Sequence, residues 1–255
     1  MSAINVTGDS FTCRQIDDMA VLTILEGANL LTTTVSGKEQ LVGLLETIRD
    51  SKQLNGLAVL YSNKYEGDAE HKRFLQDSIE GESIQSERRY SITYKSALIQ
   101  FLKMIDTFPM PIVSGMNGDI GPASFAINLA FDLRIATNGT SFVHPNLQLG
   151  LPSSPPLTFY LVRNLGPAKA AELILTKPKF SSQEALDLGL ITQVVSAEEL
   201  ENVCLDMLRQ LRTIPGHAIT ETRRMLQPDI DEVQKYLDAG FEGSLRSLYK
   251  VNVKK

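Results

Sequence analysis

The stretch between residues 111 and 150 constrains the fold of this chain more than any other part of its sequence. A short apolar run at residues 111–113 leads into a turn that carries three glycines. An apolar helical segment follows at 123–131, and then come a second apolar run at 133–136, a turn and a third short run. This order predicts strand, loop, buried helix, strand and hairpin.

The glycine-bearing turn is the first candidate for a ligand site. In open α/β folds, ligands lie at the loops that leave the carboxyl ends of strands. Glycine permits a positive φ and a close approach of the backbone to a ligand. A loop of this kind that opens a helix also directs free N–H groups outward, which suits an anion or a developing oxyanion. We therefore expect backbone chemistry at this turn.

Strands and helices alternate in the first half of the chain. Apolar, β-branched runs at 19–25 and 57–61 predict strands. Apolar residues at helical spacing predict helices at 36–50 and 91–108. Residues 1–17 have the appearance of a short leader.

After residue 150 the pattern changes to helices alone. They are predicted at 167–176, 181–190, 198–212, 217–226 and 231–249. The change predicts an α/β chain with a βαβ core at residues 1–195 and a helical C-terminal region at 196–255.

Composition and charge exclude several classes of protein. The 255 residues suit one globular domain, and 43% of them are hydrophobic. The net charge of −5 and the lack of a basic stripe argue against nucleic acid as a partner. No apolar run is long enough for a membrane span, and the first residues lack a secretory pattern. Cys13 and Cys204 fit no metal-ligand spacing, so we expect reduced packing residues of an intracellular, cytoplasmic protein.

Several short motifs lie in order along the chain. They are Asn117-Gly118, AFDLRIA at 130–136, Phe142, Pro145-Asn146, Leu149-Gly150, LVRNLG at 161–166, AKAAELILT at 168–176 and ALDLGL at 185–190. Together they resemble the crotonase family, also called the enoyl-CoA hydratase/isomerase family. The resemblance covers roughly residues 18–226. It is specific for the fold and much less specific for the reaction.

This resemblance implies a crotonase-like (ClpP/crotonase) spiral of βαβ units that acts on an acyl-CoA or acyl-carrier thioester. Coenzyme A would enter as part of the substrate, and neither a separate cofactor nor a metal is expected. The family packs its C-terminal helices across subunits, which implies that residues 196–255 form an oligomerisation region. The expected assembly is a homo-oligomer, either a trimer or a dimer of trimers. A place in fatty acid metabolism is also implied.

The resemblance further implies that two backbone N–H groups bind the thioester carbonyl oxygen. Preorganised donors of this kind are worth about 3–4 kcal/mol each in acyl chemistry. The two N–H groups fall at Asp68 and Ala123, and the implied pocket residues are Gly67, Ser124 and Ser153. For Ser124 and for Asn128, the alternative is that they satisfy backbone groups within or beside the helix.

Two catalytic carboxylates of the family hydratases are missing from this chain. The hydratases use two glutamates to deprotonate water and to protonate carbon. The matching positions here are Ala126 and Asn146. Alanine cannot carry a proton, and an amide is no general base. Standard hydration of a 2-enoyl thioester is therefore not expected.

Three residues near the implied pocket are the candidates for catalysis: His144, Asp119 and Asn146. His144 titrates near neutral pH and, on an extended run, lies on the same side as Asn146. Alternatively, Pro145 breaks that alternation and His144 lies in the subunit core. Asp119 is either a base or the cap of the helix that begins near Ala123. Asn146 either orients the thioester or enolate or belongs to a turn.

Two functions from different classes fit these observations. The first is an enzyme that stabilises an enolate, and it would perform isomerisation, decarboxylation or another lyase step. The second is a non-catalytic subunit that keeps the fold for binding or scaffolding. The retained glycine turn favours the enzyme, and the missing carboxylates favour the subunit. A ClpP-like serine protease fits less well because no nucleophile–base pair can be placed.

Overall fold

The computed structural model describes residues 4–25, 35–62, 84–227 and 229–253. In chain order its strands are β1 (Asn5–Thr7), β2 (Phe11–Ile16), β3 (Met19–Ile24), β4 (Gly56–Tyr61), β5 (Ile112–Met116), β6 (Asp119–Ile120), β7 (Leu133–Thr137), β8 (Ser141–Val143), β9 (Lys179–Ser181) and β10 (Gln193–Val195). Its helices are α1 (Val35–Arg49), α2 (Ile84–Asp106), α3 (Pro122–Asn128), α4 (Pro155–Thr176), α5 (Ser182–Asp187), α6 (Leu200–Leu211), α7 (Gly216–Leu226) and α8 (Ile230–Val253), with a 3-10 helix at Pro145–Leu149.

A seven-stranded sheet in the order β1-β2-β3-β4-β5-β7-β10 forms the centre of the protein. From β3 onward neighbouring strands are parallel, and α1 and α2 lie in the connections between them. Every residue of β4 is buried, as expected for a parallel strand that is covered on both faces. The predicted α/β architecture with a parallel core and a helical C-terminal part is confirmed.

The prediction that residues 1–17 form a leader is wrong. β1 and β2 pair antiparallel with each other, and β2 pairs antiparallel with β3 at the edge of the sheet. Phe11 and Cys13 point into the core while Arg14 is exposed, so the strand alternates between its two faces. Asp17, at φ +52, turns the chain from β2 into β3. The alternation is present in the sequence but is short and rich in polar residues.

α6 covers one face of the central sheet. Its buried residues Leu200, Cys204 and Leu208 pack against Val21, Val113 and other side chains of the strands. Gly115 in β5 permits this close approach, because a Cβ there would lie 2.9 Å from Cys204 Sγ and 2.7 Å from Leu60 Cδ2. The end of β10 coincides with the predicted boundary at residue 195, yet α6 is packed on the core of the same subunit.

A smaller sheet, in the order β6-β8-β9, lies beside the carboxyl end of β5. A buried network holds the turn between the two sheets. The Thr137 hydroxyl donates to Asn117 Oδ1 at 2.9 Å, and the Thr140 hydroxyl donates to the Met116 carbonyl at 2.9 Å. Gly118 adopts φ +89, which favours glycine, and its carbonyl accepts the Ser141 N–H.

Helix α4 is longer than the predicted helix at 167–176. It begins at Pro155 and contains a kink at Gly166, where φ is +74. Proline at the first helical position is compatible with a helix because its missing N–H would have no intrahelical acceptor. Helix α5 begins at Ser182, one residue after the predicted start at 181, because Ser181 is its N-cap and forms a capping box with Glu184.

The C-terminal helix α8 packs against α2 and α4 of the same chain. Val233 and Leu237 are fully buried there, while Tyr236 is 39% exposed. The apolar residues of this segment are thus partly covered within one subunit. Within the described ranges, every helix is too short or too polar to cross a membrane.

A buried ion pair joins α7 to the rest of the core. The Arg223 guanidinium donates to both carboxylate oxygens of Asp132, with Nε–Oδ1 at 2.9 Å and Nη2–Oδ2 at 2.7 Å. Its remaining N–H groups reach the carbonyls of Ile105, Phe108 and Met110. Asp132 Oδ2 also accepts the Ile112 N–H at 2.7 Å. These contacts give Asp132 a structural role.

We expect Arg223→Met to destabilise the protein by about 3–5 kcal/mol, because it leaves a largely buried carboxylate and three carbonyls without their donor. The control is Arg224→Met at the next position, where the side chain is 48% exposed and pairs with Glu221. Loss of such a surface pair costs about 0–1 kcal/mol. Urea unfolding of both variants at equal protein concentration measures the difference. Equal losses would contradict the structural role of Arg223.

Candidate active site

The first turn of α3 lies directly after the glycine-bearing turn that the sequence singles out. Gly121 is the helix N-cap, and Pro122 occupies the first helical position. Proline has no backbone N–H, so the first N–H group of the helix is that of Ala123. This N–H has no intrahelical acceptor because it lies in the first turn. Ala123 is half-buried, whereas the rest of this helix is buried. Proline thus leaves the predicted donor at Ala123 in place.

Asn128, at the other end of α3, connects this helix to β4. Its Nδ2 donates to the Ser124 carbonyl and to the Tyr61 hydroxyl oxygen, both at 2.7 Å. Asn128 is fully buried, and its Oδ1 has no hydrogen-bond partner among the described residues. The expectation that Asn128 satisfies a backbone group of the helix is confirmed, whereas its bond to Tyr61 is not visible in the sequence. Ser124 is buried as well.

Three phenylalanines fix the opposite side of α3. Phe125 on the helix lies 4.2 Å from Phe142 on β8, measured between ring centroids. Phe142 stacks on Phe180 of β9 at 5.2 Å, and all three rings are buried. Such contacts between rings add to the free energy gained by burying their area. The helix is therefore held between an aromatic cluster on one side and β4 on the other.

His144 lies in the interior, directly after β8. It is 2% exposed, and its ring is 6.2 Å from that of Phe180. Burial lowers the pKa of His144, and hydrogen bonds to backbone groups of His144 and Lys177 act in the opposite direction. Its Nε2 has no partner within the described part of the chain. His144 Nε2 is therefore a buried polar atom that is open to a ligand.

Asn146 does not lie on an extended run. The 3-10 helix begins at Pro145, and His144, at φ −148 and ψ 76, is its N-cap. The argument that residues 144 and 146 share a side by strand alternation is therefore wrong, because proline starts a turn there. Asn146 is 7% exposed, and its carbonyl accepts the Leu151 N–H at 2.9 Å. Gly150 ends the turn at φ +77.

Ala126, where the resemblance implies the position of one family glutamate, is fully buried in the main hydrophobic core. A carboxylate has no obvious place there, since burying a charge without a partner is costly. The structure thus adds a physical reason to the sequence argument against a carboxylate at this position.

Asp119 lies in β6, and its Oδ1 accepts from Lys179 Nζ on β9 at 3.0 Å. Both side chains are at least 36% exposed. The alternative that Asp119 caps α3 is wrong, because Gly121 is the N-cap and no side-chain cap hydrogen bond is present.

Ser153, a predicted pocket residue, lies just before α4. Its Oγ accepts a hydrogen bond from the Thr158 hydroxyl at 2.9 Å.

Gly67 and Asp68, the other predicted members of the site, lie outside the described residues. Tyr61 and Ser62, at the carboxyl end of β4, were not among the sequence candidates. Tyr61 is buried, and the Ser62 hydroxyl oxygen has no partner among the residues that the structure describes. Their position at the end of a buried parallel strand is the signal that could have found them. The described ranges contain no group of three His, Cys, Asp or Glu residues suited to a metal.

Known proteins resemble this chain in sequence. A model of the enoyl-CoA hydratase/isomerase family matches residues 38–250. Methylmalonyl-CoA decarboxylase of Escherichia coli (strain K12) is 32% identical over 128 residues, which are 50% of this chain and 49% of that protein. 4-Chlorobenzoyl coenzyme A dehalogenase-1 of Arthrobacter sp is 28% identical over 134 residues, 52% of this chain and 48% of that protein. The chain thus spans about half the length of the curated relatives that it matches.

Solved structures resemble it over nearly its whole length. Enoyl-CoA hydratase from Bacillus halodurans superposes with a TM-score of 0.77 at 19% identity, covering 96% of this chain and 98% of that one. Methylmalonyl-CoA decarboxylase in complex with 2-nitronate-propionyl-CoA gives 0.72 at 22% identity, covering 97% and 96%. At sequence identities this low, the structural similarity establishes a shared fold and not a shared reaction. Because the family model spans most of the sequence, this chain belongs to the enoyl-CoA hydratase/isomerase family, the crotonase family that its motifs resemble.

Proposed function

We propose that this protein acts on an acyl-CoA or acyl-carrier thioester and stabilises an enolate through backbone N–H groups at Ala123 and Asp68. The reaction is decarboxylation or isomerisation rather than standard hydration. The observation that supports this most directly is the contrast within α3. Its first turn keeps a half-buried N–H without an intrahelical acceptor, while Ala126 lies fully buried among apolar side chains.

Decarboxylation suits a site without carboxylate side chains. The bond between the α-carbon and the carboxylate of the substrate breaks, and its electron pair moves into the thioester carbonyl. Carbon dioxide leaves, and two N–H groups stabilise the charge on the enolate oxygen. A proton then adds to the α-carbon. No base is needed to break the bond, and one relative of this chain is named for such a reaction.

Isomerisation needs a group that takes a proton from one carbon and returns it to another. His144 is the candidate, because its ring nitrogen Nε2 is buried and has no partner in the described ranges. Burial lowers its pKa, so the ring is neutral near pH 7 and gives up an acquired proton readily. Asp119 is the second candidate, although its ion pair with Lys179 at the surface favours a structural role. Asn146, a buried amide, would orient the thioester or enolate.

The alternative function is a non-catalytic crotonase-fold subunit for binding or scaffolding. The exchange of both carboxylates for Ala126 and Asn146 favours it. The buried polar atoms without partners, Asn128 Oδ1 and His144 Nε2, favour an active pocket instead, since a scaffold has no need of them.

A panel of three thioesters tests the proposed function. We expect decarboxylation of methylmalonyl-CoA or isomerisation of a 3-enoyl-CoA, and weak or no hydration of crotonyl-CoA. Loss of one acid–base group typically costs about 10²–10⁴-fold in rate. Carbon dioxide release and absorbance of the enoyl thioester measure the three reactions. Hydration at about 10 s⁻¹ or more would show that the matching of Ala126 and Asn146 to the glutamates is wrong.

The role of His144 is tested by His144→Gln with binding and turnover measured separately. For isomerisation we expect turnover to fall by about 10²-fold or more while thioester affinity is kept, because glutamine cannot carry the proton. The control is His217→Gln, at an exposed histidine on α7. Unchanged turnover in His144→Gln would eliminate the residue as a proton carrier and leave Asp119 as the candidate.

We also propose that the protein assembles as a trimer or a dimer of trimers. Met225 and Leu226, at the end of α7, are 76% and 69% exposed in the single chain. Adjacent large apolar residues with such exposure favour an interface. Light scattering at micromolar concentration should give a mass well above 28.2 kDa, and M225S/L226S should lower it. Leu175→Ser, at a residue 70% exposed on α4, is the control. A wild-type mass of 28.2 kDa would contradict the assembly.

A further inference from the structure

We propose that Asn128 is a positioning residue that holds the first turn of α3 against the carboxyl end of β4. The inference rests on the proposed function, in which the thioester oxygen is bound by the N–H of Ala123 on α3 and by that of Asp68, which follows β4 in sequence. Such donors work only if they reach the same oxygen. A contact that fixes α3 against the end of β4 therefore acts on the reaction without touching the substrate.

The hydrogen bonds of Asn128 define this contact. One amide nitrogen donates to the Ser124 carbonyl, in the first turn of α3, and to the Tyr61 hydroxyl oxygen, at the last residue of β4. The Ser124 carbonyl can only accept, so the nitrogen rather than the oxygen of the amide must face it. The second N–H then donates to Tyr61, whose hydroxyl proton must point elsewhere. Asn128 thus fixes the positions of both partners and the rotation of the Tyr61 hydroxyl.

α3 depends on contacts of this kind for its position. It has only seven residues, and its N-cap, Gly121, provides no side-chain bond. Helices of this length are unstable alone, and tertiary contacts hold them in place. The aromatic cluster holds one side of the helix through Phe125. On the other side, the hydrogen bond from Asn128 to Tyr61 connects α3 to β4.

The choice of asparagine is costly for the core. Asn128 is fully buried, and its Oδ1 has no partner within the described ranges. A buried polar atom without a hydrogen bond is unfavourable, and leucine would fill a similar volume without that cost. A buried polar side chain is expected where its hydrogen bonds fix a relative position of two elements that apolar packing alone does not fix.

The test compares Asn128→Leu and Tyr61→Phe with wild type, using butyryl-CoA labelled with ¹³C at the thioester carbonyl. Isotope-edited infrared spectra of the bound ligand report polarisation of this carbonyl by hydrogen bonds. In wild type we expect the band to move to lower frequency than in water. In each variant we expect that shift to be lost, while the affinity for butyryl-CoA changes by less than about tenfold. Where turnover is measurable, kcat should fall by about 10²-fold while KM stays nearly unchanged, because a shift of the N–H donor by about 1 Å has an effect of this size.

Two controls separate positioning from general stability. On α4, Asn164 Nδ2 donates to the Tyr160 carbonyl, one helical turn earlier, at 2.7 Å. Asn164→Leu removes this equivalent bond. It should leave the carbonyl band unchanged. Tyr61→Phe removes a single oxygen and keeps the packing, so it stays informative where Asn128→Leu fails to fold. The double variant should lose no more of the shift than either single variant, because both changes break the same bond.

The outcomes distinguish this inference from the function on which it rests. A wild-type protein that binds butyryl-CoA without shifting its carbonyl band refutes thioester polarisation, and the positioning role falls with it. The same conclusion follows if butyryl-CoA does not bind. A shifted band in wild type that persists in Tyr61→Phe overturns the positioning role alone and leaves the proposed function intact.

Discussion

The buried ion pair between Asp132 and Arg223 is the interaction on which the arrangement of the core depends. All five N–H groups of the guanidinium have acceptors: two carboxylate oxygens and the carbonyls of Ile105, Phe108 and Met110. A buried charge pair offsets its desolvation only when its other hydrogen bonds are satisfied, and this one meets that condition. It joins α7 to the end of α2, to the entry of β5 and to the entry of β7. The entries to β5 and β7 are therefore held by a network in which every N–H of the guanidinium has an acceptor.

The carboxyl end of the same sheet is built differently. There the buried polar atoms Asn128 Oδ1, His144 Nε2 and Ser62 Oγ have no partners among the described residues. Unsatisfied groups of this kind are rare in stable cores and cluster where a protein binds or reacts. Asp18 Oδ1, before β3, and Ser114 Oγ, within β5, also lack a hydrogen-bond partner in the described part of the chain, so such atoms are not confined to one end of the sheet. Ser62 and Asn128 lie at the carboxyl end of β4, where ligand sites are generally found in open α/β sheets.

The sequence predicts those parts of the structure that repeat a local pattern. Strands β3 and β4 and helices α1, α6 and α7 lie within about two residues of the predicted ranges, because their apolar residues follow one clear period. The missed elements lack such a signal: β2 alternates over only six residues, and the turn at Pro145 replaces an expected extension. In the site, the assignments of Ala123 and Ala126 come from the family resemblance and stay predictions. The Asn128–Tyr61 bond joins residues 67 positions apart, and no local pattern contains it.

If Ala126 matches a family glutamate, as we propose, α3 contributes to chemistry through its backbone rather than through a side chain. A helix that provides a glutamate acts through a side chain, which can move within its rotamers to meet the substrate. A helix that provides only the Ala123 N–H acts through its backbone, whose position is fixed by everything that packs against the helix. On the proposed mechanism, activity therefore depends on how α3 is held rather than on which ionisable group it bears. That dependence gives a physical reason for a buried, costly asparagine on the same helix as the Ala123 N–H.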